Sequence, residues 1–180
     1  MALTPNPEHR IGVFIDIQNL YHSAKHLHGG RVNYKALLES VIANRRLVRA
    51  IGYVVTSDPQ TGEDAFFEAL ENVGIELRSK DLQIFASGSK KADWDIGMAI
   101  DAVRMAPNLD VVVLLTGDGD FVPLVEYLQI GLGKIVEVAA FGPVTSGKLK
   151  EVADSFIDIE GISKAVFKTA KSRGSLSKKK

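Results

Sequence analysis

Val111-Val112-Val113-Leu114-Leu115-Thr116-Gly117-Asp118-Gly119-Asp120-Phe121 is the stretch whose reading decides the fold. Five consecutive aliphatic residues, three of them β-branched, suit a strand buried on both faces, as in a parallel sheet. The run stops at Thr-Gly, and Asp118 and Asp120 follow at the expected carboxyl end of the strand. Pro123 falls where the first turn of a helix would begin, a place that tolerates a residue without an N–H. Ligands of open α/β sheets bind just outside the carboxyl ends of the strands, so this turn aims two carboxylates at the expected site. Acids crowded there repel one another unless a cation or a shared proton compensates. The plainer reading makes Asp120 a helix N-cap and Asp118 part of a tight turn. The rest of the chain favours the first reading.

A second apolar run, Arg10-Ile11-Gly12-Val13-Phe14-Ile15-Asp16, also closes on an acid. Ile17-Gln18-Asn19-Leu20-Tyr21 then opens a helix to about His28, stopped by Gly29-Gly30. Asn33 suits the N-cap of a helix over 34–42. A strand at 49–55 leads into a polar loop at 56–63, the best candidate for a mobile segment. A helix at 65–73 ends at Gly74, and 75–78 alternates as an edge strand would. A Gly/Ser/Lys loop at 86–91 precedes a helix over 93–105. Beyond the central strand come a helix at 122–130, a strand at 134–141, a short helix at 146–153 and a last strand at 156–159. Strands alternating with helices predict an α/β fold with a mainly parallel sheet.

At 180 residues, 46% hydrophobic and 24% charged, the chain suits one globular domain. Residues 1–9 read as a disordered lead, 10–162 as the domain, and 163–180 as a basic, flexible tail. There is no cysteine, which excludes disulfides, thiolate catalysis and cysteine-bound zinc. No apolar run has the length of a membrane span or signal peptide, so a cytoplasmic protein without membrane contact is expected. The net charge of zero hides an asymmetry. All 22 acidic residues lie within 1–160 with 15 basic ones, while seven basic residues follow Glu160. Such an end is a candidate electrostatic tether, although short Lys-rich termini are commonly just solvated.

The third source of acids is Lys90-Lys91-Ala92-Asp93-Trp94-Asp95-Ile96-Gly97-Met98-Ala99-Ile100-Asp101. A helix start favours one anion through its dipole and free N–H groups, and here two stand within three residues. Asp101 lies about 240° further round the helix than Asp95, so the two face different ways. Convergence of Asp16, Asp95, Asp118 and Asp120 would make an oxygen-only pocket suited to Mg²⁺ or Mn²⁺ rather than zinc. His22 and His26 share a helix face without a third zinc-type ligand and read as solvated. No P-loop is present, and Gly117-x-Gly119 lacks the third glycine of a dinucleotide fingerprint.

The motifs 14–19, 91–95 with Asp101, and 115–124 together resemble the NYN domain, the LabA-like branch of the PIN-like nucleases, over about residues 10–160. The resemblance implies a Rossmann-like three-layer sandwich with strand order resembling 3-2-1-4-5 and a metal-dependent endoribonuclease site. Asp16 and Asn19 match its D-x-x-N motif. Asp95 best matches its helix acid, with Asp93 as the alternative, and Asp118 and Asp120 match its fourth-strand pair. Thr116 takes the place of a small hydroxyl residue, and Ile17 stands where glycine is common. The expected partner is RNA, single-stranded for preference, with Lys90, Lys91 and Tyr21 as candidate substrate contacts; a homodimer is left open. The rivals are a non-catalytic RNA-binding or regulatory scaffold and a receiver-like phosphoacceptor, which would need a lysine ending a later strand where Lys134 begins one.

Overall fold

The structure is a computed structural model that describes residues 5–56, 63–81, 83–84, 90–91 and 94–167. Six strands form one sheet: β1 (Arg10–Asp16), β2 (Arg46–Thr56), β3 (Glu76–Asp81), β4 (Val111–Leu115), β5 (Ile135–Ala140) and β6 (Ser155–Asp158). The order is β3-β2-β1-β4-β5-β6 and every neighbouring pair is parallel. The expected 3-2-1-4-5 order is therefore present, with one further strand beside β5. From β1 the chain builds outward to β3, then crosses back to β4 and builds the other way. The switch falls between β1 and β4, where Ile15 lies beside Leu115, and there the strand ends open a crevice.

Alternation along the central strands explains the three layers. Ile11, Val13 and Ile15 of β1 and Val111, Val113 and Leu115 of β4 enter one core, with α1 (Ile17–His28), α2 (Tyr34–Ile42) and α3 (Asp64–Asn72). Phe14, Val112 and Leu114 enter the other, with α4 (Asp95–Met105), α5 (Val122–Glu126) and α6 (Gly147–Val152). Both faces are covered, which is why the strands read as continuous apolar runs.

The capping residues act as the sequence predicts. Asn33 Oδ1 accepts the Ala36 amide at 3.2 Å, and Gly29 closes α1 in the left-handed region at φ 57°. Other bounds differ. α4 starts at Asp95, not Asp93, and the helix expected over 122–130 passes after Glu126 into a π turn, Tyr127–Gly131. β2 starts at Arg46, because its first residues extend the pairing with β1, Arg10 beside Arg46.

Two short pairings went unread in the sequence. Gln83–Ile84 pairs antiparallel with Lys90–Lys91, the last two residues of the loop expected at 86–91. Arg31–Val32 pairs with Val166–Phe167, and Ala165 is buried, so the segment expected as tail stays with the body to Phe167. Residues 57–62 of the loop expected as mobile at 56–63 lie outside the described residues, as do residues 1–4 of the lead expected at 1–9 and 168–180 of the expected tail.

Among the described residues, one charged group is buried inside the sheet. Glu137 of β5 faces the α1–α3 layer and receives Arg45 in two parallel hydrogen bonds of 2.8 Å each. Ala43 and Asn44, at φ 47° and 63°, turn the chain out of α2 and bring Arg45 under it. Arg45 also donates from its side chain to the carbonyls of Val41 and Ile42 at the helix end, the second of which accepts the Arg45 amide as well.

Candidate active site

Asp16 is the last residue of β1 and the N-cap of α1, where its Oδ1 accepts the Asn19 amide at 2.9 Å. Across the switch point, Thr116 and Gly117 end β4, and Asp118 caps a single turn at 119–121, accepting the Asp120 amide at 2.9 Å. The capping role that the plainer reading gave to Asp120 falls to Asp118. Thr116 is buried between the two acids. Its hydroxyl stabilises the charged form of the Asp16 carboxyl and accepts the Asp118 amide at 3.2 Å. Asn19 ties the same two turns, its Oδ1 accepting the Gly117 amide at 3.0 Å.

Asp95 enters from the first turn of α4. Carboxylate oxygens of Asp95, Asp118 and Asp120 lie within 4.8 Å of one another, the one such acidic group among the described residues. Asp95 and Asp118 are half-buried and Asp120 is exposed, so the group opens to solvent. Asp16 stands next to it, near enough to Asp118 for their charges to interact. Burial pushes the Asp16 carboxyl above its usual range, and the Asp118 charge adds to this against the hydrogen bonds from Asn19, Thr116 and Gln18. An all-carboxylate set with mutual repulsion and solvent access fits a hard divalent cation, and offers no soft or imidazole ligand for zinc.

Asp101 is turned away, as its helical offset predicts, and accepts the Tyr53 hydroxyl at 3.0 Å. Asp93 lies outside the described residues, as do the side chains of Lys90 and Lys91. Tyr21 is exposed on α1 with the Lys25 ammonium 5.8 Å from its ring centroid. His22 and His26 are exposed as well.

Two supports were missed in the sequence. The Tyr34 hydroxyl donates to the Ile17 carbonyl at 3.2 Å, directly after Asp16, and burial together with the Asp16 charge pushes its own ionisation up. Ser146 donates its amide to the Gly117 carbonyl at 2.9 Å, and a Cβ placed on Gly119 would meet its hydroxyl at 2.8 Å. Gly119 therefore has a steric reason at this turn. Nothing local in the sequence links Ser146 to Gly119.

The NYN domain family matches residues 10–160. Low amplitude and bright protein LabA of Synechococcus elongatus is 31% identical, over 94% of this chain and 92% of that protein. An uncharacterized protein of Methanocaldococcus jannaschii is 29% identical over 84% of this chain, which covers 56% of it. Among solved structures, a protein of unknown function from Vibrio parahaemolyticus superposes with a TM-score of 0.82 at 29% identity. That match covers 92% of this chain and all of the other.

Proposed function

The chain belongs to the NYN domain family, and on that premise we propose that it is a metal-dependent endoribonuclease acting on single-stranded RNA. The observation that carries the reading is the meeting of Asp95, Asp118 and Asp120 beside Asp16 at the switch point of the sheet. Asp118 and Asp16 would be the principal ligands of Mg²⁺ or Mn²⁺, with Asp95 and Asp120 holding a second ion or its waters. A bound divalent ion would supply positive charge to the phosphate oxygens and make water more acidic.

The protein's own groups do the positioning. Thr116 fixes the spacing of Asp16 and Asp118 from between them. Asn19 and Ser146 hold the Gly117 turn from either side. A carboxyl whose affinity for protons is raised by burial, as that of Asp16 is, yields its proton most readily once positive charge is beside it. Asp93 remains the proposed alternative to Asp95 as a metal ligand, and Lys90, Lys91 and Tyr21 remain proposed contacts for RNA.

The test is incubation of pure protein with labelled single-stranded RNA in Mn²⁺, Mg²⁺ or EDTA. Cleavage with either metal, lost in EDTA and in Asp118→Asn, is expected. Persistent absence of cleavage would favour the second reading, an RNA-binding scaffold. Its specific support is that Asp16 and Asp118 both cap helical turns, a structural role that needs no metal. The receiver-like reading has less: Lys134 donates to the Leu109 carbonyl, before the strands begin rather than where they end.

A further inference from the structure

We propose that Trp94, with Lys80 and Arg78 beside it, forms a nucleotide subsite next to the acidic group, where a base of single-stranded RNA lies against the indole and the two cations meet its phosphates. The subsite rests on the nuclease reading of the acids. Trp94 directly precedes Asp95, an acid of the group.

The ring is rigidly held. Its Nε1 donates to the Val54 carbonyl at 2.7 Å, and its centroid lies 5.5 Å from that of buried Tyr53. Gly97, almost one helical turn on, makes room for it, since a Cβ there would stand 2.6 Å from the indole Cε3. Despite these contacts Trp94 is only half-buried. An aromatic surface already fixed by the fold loses little freedom when a base stacks on it, and stacking is tolerant of sequence.

Charge points the same way. Crowded carboxylates repel a polyanion, so phosphates need cations nearby to come close. β3 is the edge of the sheet, and Arg78 lies in register beside Tyr53. Lys80, two residues on, projects from the same side of the strand. Its ammonium stands 5.9 Å from the Trp94 ring centroid, and both cations are exposed. Arg78 is only loosely engaged, its Nε 3.9 Å from Asp101. Guarding an open edge against strand addition would explain the charges. It would not explain a half-buried tryptophan under one of them, joined by one peptide bond to an acid of the site.

Trp94 is the one tryptophan of the chain, so its emission reports the subsite without any label. Wild-type protein in EDTA is titrated with a short oligouridylate, followed by tryptophan emission and, with a labelled copy, by anisotropy. Emission should be quenched along the anisotropy curve. Exposed Lys80→Gln should weaken binding and lower the slope of log affinity against log salt by about one. Trp94→Phe, checked for folding by circular dichroism, should weaken binding about five-fold or more. Binding seen by anisotropy with unchanged emission, and a salt slope unchanged by Lys80→Gln, would overturn the subsite while Mn²⁺-dependent cleavage kept the nuclease reading. Absence of binding by both signals would overturn the subsite, and absence of Mn²⁺-dependent cleavage besides would overturn the nuclease reading with it.

Discussion

The side-chain oxygen of Asn19 accepts the Gly117 amide at 3.0 Å, which ties the turn after β1 to the turn after β4. The bond holds the spacing of Asp16 and Asp118 from outside, as Thr116 holds it from between. Asn19→Ala should lose about 1 kcal/mol of stability, the usual worth of such a bond, with more if the Gly117 amide is left dry. Cleavage should fall further than unfolding explains, because the acids lose their register. Urea denaturation and a cleavage assay on the same preparation decide it, and a variant with full activity would show that the tie is only structural.

The acids repel one another when no cation is bound, so removing one charge should relieve the empty site. Asp118→Asn keeps an oxygen for the Asp120 amide and should melt at or above the wild-type temperature in EDTA. Ligand-linked stabilisation by Mn²⁺ should vanish in it. An undiminished Mn²⁺ shift in the variant would put the metal somewhere else.

Asp16 gives the site a pH dependence with a definite sign. Its folded carboxyl holds a proton more tightly than the unfolded chain does, mainly because it is buried. The stability linked to that proton is fully present below the ordinary carboxyl range and is lost as pH rises through the raised value. Asp16→Asn carries no charge at any pH, so in EDTA its stability should gain on wild type across that rise and then keep a constant lead. Urea midpoints from about pH 4 to 7 measure the difference. A lead that shrinks with rising pH would contradict the burial assigned to Asp16.

The central strand and both acid turns were legible because their signals are local. Five buried aliphatics in a row, a Thr-Gly stop and a helix-start proline lie within one short window. The preference for Asp95 over Asp93 rests on the six-residue distance to Asp101 in the motif the chain resembles; Asp95 stands in the acidic group, and Asp93 lies outside the described residues. Ser146 against Gly119, Tyr34 behind Asp16 and Arg45 under Glu137 were not legible. Each joins residues far apart in sequence, and each residue alone reads as an ordinary cap, core aromatic or surface charge.

The Arg45–Glu137 pair is the plainest case and has its own consequence. Both side chains are nearly dry, at 3% and 8% exposure. Removing one partner strands a buried charge, so Glu137→Ala should cost about 3–5 kcal/mol, whereas replacing both with well-packed apolar residues should cost far less. Chemical denaturation of the two singles and the double separates these terms. Additive losses would mean that the pair does not act as a unit.

Binding and chemistry should come apart when the charged end and the acids are altered separately. Val166–Phe167 pairs with Arg31–Val32, so a cut must fall after Phe167 to leave the body whole. Deleting 168–180 removes Lys168, Lys171, Arg173, Lys178, Lys179 and Lys180 and no acid. RNA affinity should then drop and its salt dependence flatten, while the cleavage rate at saturating RNA stays near wild type. Asp118→Asn should do the reverse. Each ~1.4 kcal/mol of lost transition-state stabilisation is tenfold in rate, and metal-borne charge is worth several such steps, so cleavage should fall by several orders of magnitude. Affinity in EDTA should hold or rise slightly, because a negative charge beside the phosphates has gone. If Asp118→Asn cleaves as fast as wild type in matched preparations, the activity belongs to a contaminant or another site, and the acids are caps of the fold rather than ligands.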